Sequence, residues 1–282
     1  MADWIETYRG VVNAWECDIV EHFTIAYYFD RFADATRNFV DLIGETETLG
    51  PSVNVGPTQL FVTFPHELRG GSQFHIVSGV IGVEADAVRL GHKVIDSTTG
   101  QAVTSVTETI ALAPGAAASR KKLEGLVLAW DGPKIADRAT GKPGQGLKTF
   151  RDRVKRWEIG ESGSLSLPGY VHRFSAGAMQ TLVGVGMSGA YLKENRRGFS
   201  TFELDLRIEA MAKVGDMMDV TTVVTHLGSS SVRFLHTLTC QQTGKLLATM
   251  GQGGVHLDME ARKSTPMPAE LRALASKILV SG

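Results

Sequence analysis

A short stretch near the start of the chain brings a lone carboxylate next to a histidine and the beginning of an apolar helix. Asp18 follows a strand-like run, His22 comes four residues later, and the helical pattern opens at Thr24. The free N–H groups and the dipole at a helix N-terminus polarise a nearby carbonyl group. A carboxylate held there is a candidate for chemistry at that carbonyl. Aspartates that only close a turn or cap a helix are common, so both roles stay open for Asp18.

The neighbours of Asp18 have structural alternatives of their own. His22 either orients Asp18 or the substrate, or it is a structural histidine. Thr24 is a candidate N-cap and a candidate catalytic group, and the two roles are compatible. Cys17 is expected to pack inside, because neighbouring side chains of a strand point to opposite faces and the adjacent carboxylate opposes its thiolate form.

The composition is that of an ordinary globular protein. The chain has 282 residues, of which 43% are hydrophobic and 21% are charged, with a formal net charge of −1. This length predicts about two domains, and the balanced charge gives no reason to expect nucleic-acid binding. No apolar run approaches the roughly 20 residues of a membrane helix, so no membrane partner is expected.

The N-terminus and the cysteines indicate a reducing compartment. The first residues, MADWIETYR, lack the basic and then apolar pattern of a secretory signal. Cys17 and Cys240 lie far apart and show neither C-x-x-C nor paired histidine spacing, so we expect no disulfide framework and no metal site. The expected location is the cytoplasm.

The chain carries an internal repeat at an offset of 144 residues. VRLGH at 88–92 matches VRFLH at 232–236, and further identities coincide without a gap. His92 and His236 occupy matching positions, for which a packing role is expected. The spacing predicts a duplicated fold, which by itself implies no chemistry.

Each copy is predicted to contain a leading strand, a long apolar helix and four antiparallel strands. In the first copy, apolar residues at three-and-four spacing predict a helix over 25–43, with Thr24 as its N-cap and Gly44 as its stop. The predicted strands of this copy span 8–17, 58–64, 73–83, 87–95 and 102–112. The second copy is predicted to hold a strand over 170–174, a helix over 176–192 and strands over 202–209, 217–225, 231–240 and 246–257.

This order of elements predicts an α+β fold in which each antiparallel sheet wraps around one central helix. The predicted domains span 1–125 and 167–282. A connector over 126–166 joins them, and it contains a charged run over 147–158 that is predicted to be helical. A connector of that length is unusual in a compact domain.

Several motifs, taken in their order along the chain, resemble those of one protein superfamily. WECDIVEH at 15–22 precedes AYYFDRFADAT at 26–36, and the second half carries GAYL at 189–192, FSTFEL at 199–204 and HLDMEARKSTPMP at 256–268. In these motifs the chain resembles the 4-hydroxybenzoyl-CoA thioesterase-like hotdog superfamily, in a fused double-hotdog form. The resemblance implies a double hotdog, with the Asp18 motif in the N-terminal copy.

The resemblance also implies an activity, the hydrolysis of an acyl-CoA-type thioester. It places Asp18 at the position of the catalytic acid, either as a nucleophile or as a general base on water. It places His22 at the position of the family's histidine. The backbone N–H groups of Ile25 and Ala26, at the start of the helix, would stabilise the oxyanion.

The chain departs from the family pattern in both copies. Glu21 stands where the family has a Gly, which would allow close approach of the backbone to a substrate. Thr24 stands where the family has an Asn. In the second copy, SAGAMQ at 175–180 takes the place of the acid motif, so that copy is expected to lack the acid. We therefore expect one catalytic centre per chain.

The substrate-binding residues suggested by the resemblance are mainly aromatic. Trp15, Tyr27 and Tyr28 would form a cation–π surface for the trimethylammonium acyl groups of thioesterases in carnitine and betaine catabolism, and packing in the core is their alternative. Glu203, which matches Gln59 in the repeat, is a further candidate for the substrate pocket. Coenzyme A enters as part of the substrate and no cofactor is implied. A homodimer of double hotdogs is the expected assembly.

Two other functions stay open at this point. Hotdog hydratases and dehydratases also use an acid and a histidine around an acyl thioester. A non-catalytic hotdog protein would bind acyl-CoA as a sensor or subunit, and the missing acid of the second copy shows that the fold tolerates such a loss. Free thiol release separates hydrolysis from both alternatives.

Overall fold

The computed structural model describes residues 3–18, 21–53, 58–112, 115–135 and 145–280. These residues fall into two compact units. Unit one comprises those within Met1–Ile135 and Ile159–Val171, and unit two those within Ala136–Glu158 and His172–Gly282. The expected connector is therefore divided, because its residues 126–135 and 159–166 lie in unit one and its residues 145–158 in unit two. Within the described ranges, no helix is both long enough and apolar enough to cross a membrane.

Unit one contains an antiparallel sheet with one long helix against it. Its strands are β1 (Ile5–Val11), β2 (Thr58–Thr63), β3 (Gln73–Val83), β4 (Ala87–Asp96) and β5 (Ala102–Ala111), in the order β1-β3-β4-β5-β2. Its helices are α1 (Ile25–Leu42), α2 (Thr46–Leu49) and α3 (Ala117–Glu124).

Helix α1 forms because its apolar side chains recur at three-and-four spacing and so share one face. Phe29 and Phe32 on that face are fully buried, and Phe39 packs with Val80 and Leu90 of the sheet. The helix begins after Thr24, whose backbone is extended (φ −66°, ψ 136°) as an N-cap requires. The prediction of this helix, its N-cap and its buried stripe is confirmed.

Unit two repeats this arrangement. Its sheet has the order β6-β8-β9-β10-β7, and the short β11 pairs with β10. The strands are β6 (Leu147–Arg153), β7 (Arg197–Ile208), β8 (Met217–Leu227), β9 (Ser231–Cys240), β10 (Leu246–Asp258) and β11 (Lys263–Ser264). The helices are α4 (Leu167–Gly184), which begins within the range of unit one, α5 (Gly189–Glu194) and α6 (Ala269–Ser276).

The strand registers confirm the duplication. Ser78 pairs with His92 between β3 and β4, and Thr222 pairs with His236 between β8 and β9, so both residues of the pair keep the offset of 144. A β-bulge follows at the same place in each pair of strands. Register is set by which face of a strand is buried, so the shared register means a shared core pattern.

The leading strands of the two copies, β1 and β6, are related by a different offset. Tyr8 of β1 pairs with Ile76, and Phe150 of β6 pairs with Val220. The partners differ by 144 positions, but Tyr8 and Phe150 differ by 142. The second copy therefore has two additional residues between its leading strand and its second strand.

The helix predicted over 176–192 is two helices, α4 and α5. Three other predicted elements are wrong. The strand expected over 8–17 ends at Val11, and a 3-10 turn over Ala14–Glu16 follows it. The strand expected over 170–174 is part of α4. This helix begins at Leu167, because its second residue, Pro168, is tolerated in the first turn of a helix. The charged run over 147–158 is strand β6 and the 3-10 turn Arg156–Glu158, since an edge strand with one solvated face accepts charges.

Candidate active site

Asp18 lies in a short loop that is closed by its own backbone. Cys17 and Phe23 form an isolated antiparallel bridge at the ends of the loop. The N–H of Asp18 donates to the carbonyl of His22 (2.8 Å), and the N–H of Glu21 donates to the carbonyl of Asp18 (3.0 Å). The carboxylate oxygen Oδ1 of Asp18 accepts the N–H of His22 at 3.0 Å, and the residue is exposed. The loop thus presents a carboxylate to solvent in a defined orientation.

Glu21 has the left-handed backbone conformation that glycine favours, with φ of 64°. A residue with a Cβ adopts this conformation at a cost of roughly 1–2 kcal/mol. The departure from the family's Gly therefore leaves the loop conformation in place and adds backbone strain. Ile19 and Val20 of the sequence motif lie outside the described residues.

The ring of His22 points to a carboxylate that sequence reasoning missed. Its Nε2 lies 3.0 Å from Oε2 of Glu67, and both side chains are more than half buried. The next residue, Leu68, accepts the N–H of Phe23 at 2.8 Å, so the segment carrying Glu67 lies against the loop. Such a carboxylate fixes the orientation of an imidazole. No sequence signal marks Glu67, because the pairing depends on the fold bringing two distant segments together.

The start of α1 offers backbone donors next to the loop. The N–H of Thr24 donates to the carbonyl of Glu16 at 2.8 Å, and the Thr24 hydroxyl makes no capping hydrogen bond. Among the described residues, none accepts a hydrogen bond from the N–H of Ile25 or Ala26. These are the orphan donors of a helix start, and they are the groups predicted to stabilise an oxyanion.

The aromatic residues predicted to bind substrate lie in different environments. Trp15 is 76% exposed on the 3-10 turn before Asp18. Tyr27 stacks on Phe23, with ring centroids 6.3 Å apart. Tyr28 is 4% exposed and packs against Phe23, and burial raises the pKa of its hydroxyl to about 12. Tyr28 therefore packs in the core, which is the alternative stated for these aromatic residues.

Glu203 belongs to unit two. It pairs with Gly253 as Gln59 pairs with Thr109, which confirms that the two positions match in the repeat. Its carboxylate forms an ion pair with Arg233, and both residues line a cavity of about 130 Å³ on unit two.

The second copy contains the same loop without the acid and without the histidine. Ile159 and Leu165 form the bridge that Cys17 and Phe23 form in the first copy. The N–H of Gly160 donates to the carbonyl of Ser164 at 2.9 Å, and the positive φ of the loop (73°) falls on Gly163.

Gly160 and Ser164 therefore stand in the places of Asp18 and His22. The location expected for this loop, 175–180, is wrong, because those residues belong to α4. In the described loop of the second copy, glycine stands at the position of Asp18.

A cavity of about 750 Å³ lies in unit one between α1 and this second loop. Its wall carries Asp30, Asp34 and Arg37 of α1 and Glu161 of the loop. Burial and the neighbouring carboxylate of Asp30 raise the pKa of Asp34. Within the described part of the chain, no three His, Cys, Asp or Glu side chains are grouped as metal ligands would be.

The two repeated histidines lie in matching buried networks. His92 contacts the hydroxyl of Ser78 (2.7 Å) and a carboxylate oxygen of Glu108 (3.1 Å), and all three residues are at most 1% exposed. His236 contacts Thr222 (2.8 Å) and Gln252 (3.1 Å) in the same geometry. Full burial and repetition in both copies indicate a structural role for these networks.

Two consecutive units with the same antiparallel strand order, each with its own long helix, define a double hotdog, as the sequence predicted. The profile of the thioesterase-like superfamily matches residues 12–121 and 156–274. The chain therefore belongs to the thioesterase-like superfamily.

Solved structures show the same fold over most of the chain. An oleoyl thioesterase (putative) from Lactobacillus plantarum is 14% identical with a TM-score of 0.66, over 90% of this chain and 96% of that one. The 12:0-ACP thioesterase from Umbellularia californica is 12% identical with a TM-score of 0.65, over 88% and 92%. An acyl-ACP thioesterase from Bacteroides thetaiotaomicron is 12% identical with a TM-score of 0.62, over 88% and 96%. A comparison with curated protein sequences finds no match.

Proposed function

We propose that this chain hydrolyses an acyl thioester, with coenzyme A as the thiol carrier and Asp18 as the working carboxylate. The observation that carries the proposal is the loop itself. It presents the exposed carboxylate of Asp18 beside a helix start at which Ile25 and Ala26 keep backbone donors without an acceptor among the described residues. Membership of the thioesterase-like superfamily supports thioester chemistry at this loop.

The proposed reaction uses Asp18 in one of two ways. As a nucleophile, its carboxylate oxygen attacks the thioester carbonyl and expels the thiolate, and water then cleaves the acyl-enzyme anhydride. As a general base, it takes a proton from a water molecule that attacks the same carbon. Both routes give a free acid and a free thiol. His22, held by Glu67, orients the loop that carries Asp18.

The helix start supplies the electrostatic part of the proposal. The N–H groups of Ile25 and Ala26 would donate to the carbonyl oxygen as it gains negative charge. Removing one such donor in other hydrolases costs on the order of 10²–10³ in rate. Thr24 positions these donors through its own N–H bond to Glu16, and no chemical step is assigned to its hydroxyl.

The comparison of the two loops supports a centre at Asp18 in particular. The bridge, the internal hydrogen bonds and the positive φ are shared by both loops, so they are requirements of the fold. The acid and the histidine are present only in the first of the two loops. Residues that the loop conformation does not need are the ones to test for chemistry.

The test is thiol release by the purified full chain on a panel of acyl-CoA and acyl-ACP thioesters. The panel includes both carriers because two of the solved relatives are described as acting on ACP thioesters. Release from acyl-CoA supports the proposed activity and carrier, and release from acyl-ACP alone overturns the choice of carrier. A change in enoyl absorbance without thiol release indicates a hydratase, and acyl-CoA binding without any reaction indicates a sensor.

Asp18→Asn decides whether this carboxylate does the chemistry. A matched control is Asp96→Asn, because Asp96 also accepts backbone N–H groups in an exposed turn, at 2.8 and 2.9 Å from Thr98 and Thr99. We expect Asp18→Asn to lower thiol release at least a hundredfold and Asp96→Asn to leave it within twofold. Equal activities of the two variants would mean that Asp18 only closes its loop.

A further inference from the structure

A buried carboxylate anchors the turn that carries Asp18. Glu16 is 3% exposed, and its Oε2 accepts the backbone N–H of Asn13 (2.8 Å) and the side-chain amide of the same residue (3.1 Å). Its Oε1 accepts a hydrogen bond from Nη2 of Arg31 on α1 at 2.5 Å. The carbonyl of Glu16 accepts the N–H of Thr24. Glu16 thus ties the turn to α1 through both its side chain and its backbone.

The second copy contains a matching pair, Glu158 and Arg173, and each of these glutamate–arginine pairs is called an anchor below. Glu158 accepts the backbone N–H of Lys155 at 2.7 Å and a hydrogen bond from Nη2 of Arg173 at 2.9 Å. Both residues of this pair lie 142 positions after Glu16 and Arg31, the offset found for the leading strands. The anchor is therefore part of the repeated fold, whereas Asp18 and His22 are not.

The two anchors differ in how fully the arginine is bound. The Nε of Arg173 donates to Asp152 at 2.9 Å, and its Nη2 also reaches the carbonyl of Arg153. In the first copy Arg31 binds Glu16 and Asp30, while its buried Nε has no hydrogen-bond partner in the described part of the chain. The side-chain connection between the first turn and α1 therefore consists of the contact between Glu16 and Arg31, next to the backbone hydrogen bond from Thr24 to Glu16.

We propose that Glu16 and Arg31 are positioning residues for Asp18, an inference that rests on the proposed function. Asp18 lies two residues after Glu16, and the donors of Ile25 and Ala26 follow directly after Thr24, which the Glu16 carbonyl holds. A shift of Glu16 therefore changes the placement of the acid relative to the oxyanion donors. A displacement of about 1 Å between reacting groups costs on the order of a hundredfold in rate.

The duplicated anchor gives a matched experiment. The double variant Glu16→Gln with Arg31→Met removes both charges of the first anchor and leaves no buried ion unpaired. Glu158→Gln with Arg173→Met removes the matching pair of charges in the second copy. It also removes the Arg173 hydrogen bond to Asp152, so it is the larger perturbation of the two. We expect the first double variant to lower kcat ten- to a hundredfold with KM within threefold of the wild type. The second is expected to keep kcat within twofold, although both lower the melting temperature.

The outcomes separate the inference from the proposed function. Equal kcat values in the two double variants, measured on folded protein at a temperature well below both melting points, would overturn the positioning role. A loss carried by KM alone would overturn it as well. Should the first double variant not fold, Arg31→Lys and Arg173→Lys give the same comparison with a smaller perturbation. If Asp18→Asn keeps full thiol release, the proposed function itself fails, whatever the anchor variants do.

Discussion

Lowering the pH from 7.5 to 5 is expected to destabilise unit two through His236. This residue is fully buried, and burial lowers the pKa of its imidazole from 6.5 to about 4, an effect that the Gln252 hydrogen bond only partly offsets. The amide of Gln252 donates to Thr201 at 2.7 Å, which turns its Oε1 towards His236. The hydrogen-bond network therefore holds the neutral ring, with the proton on Nε2.

The magnitude follows from the difference between the two pKa values. The folded-state pKa lies below the unfolded value of 6.5, so the stabilisation is complete above pH 6.5 and is lost as the pH falls towards about 4. At pH 5 the unfolded chain binds nearly one proton more at this residue than the folded chain does. One pKa unit corresponds to about 1.4 kcal/mol, so the free energy of unfolding falls by about 2 kcal/mol between pH 7.5 and pH 5.

The assay compares urea unfolding of the wild type and of His236→Asn at both pH values. The variant is less stable at pH 7.5 because Thr222 and Gln252 lose part of their hydrogen bonding, but it lacks the titrating group. The difference between the two proteins should shrink by about 2 kcal/mol at pH 5. His256, whose pKa burial also lowers, titrates in both proteins and cancels.

Replacing Gln252 with the residue type found at the matching position of the first copy gives the control for this prediction. Gln252→Glu places next to His236 the carboxylate that Glu108 provides next to His92 in unit one. A neighbouring carboxylate raises the pKa of a histidine, so this variant should lose less stability on acidification than the wild type. A constant difference between wild type and His236→Asn at the two pH values would show that the folded protein does not lower the pKa of His236.

Two further predictions concern backbone strain and the core. Glu21→Gly should keep or raise the free energy of unfolding, by up to about 1 kcal/mol, because it removes left-handed strain at the cost of chain entropy. Gly163→Ala, at φ 73° in open space, should lower it by about 1 kcal/mol, and unchanged melting of both variants would contradict the strain argument. Phe32→Ala and Phe174→Ala, at matching and fully buried positions, should each cost about 3–5 kcal/mol in urea unfolding; a cost below 1 kcal/mol would contradict the assigned core.

Much of the fold was predictable because strands that pack on a hydrophobic core carry regular patterns of apolar residues. The strands Gln73–Val83 and Ser231–Cys240 have the predicted bounds, and α1 differs from its prediction by one residue. Strand β6 was not predictable in this way, because as an edge strand it carries charges on its solvated face. Its sequence, LKTFRDR, has the charge density of an exposed helix.

The candidate site was predictable only in part. Asp18, His22 and the helix start follow one another in the sequence, so their proximity can be predicted from the sequence alone. Glu67 contacts His22 of the loop, and Arg31 contacts Glu16 of the turn before it, only because the chain is folded. Sequence spacing does not predict such contacts. The matching loop of the second copy was misplaced because residues 170–174 were predicted to be the leading strand, whereas they belong to α4 and the loop comes before that helix.

The most direct test of the central claim is the initial rate of thiol release from an acyl-CoA substrate by the wild type, Asp18→Asn and Asp96→Asn, measured side by side. We expect release by the wild type and by Asp96→Asn within twofold of each other, and a loss of at least a hundredfold in Asp18→Asn with the protein still folded. Undiminished thiol release by Asp18→Asn would contradict the central claim.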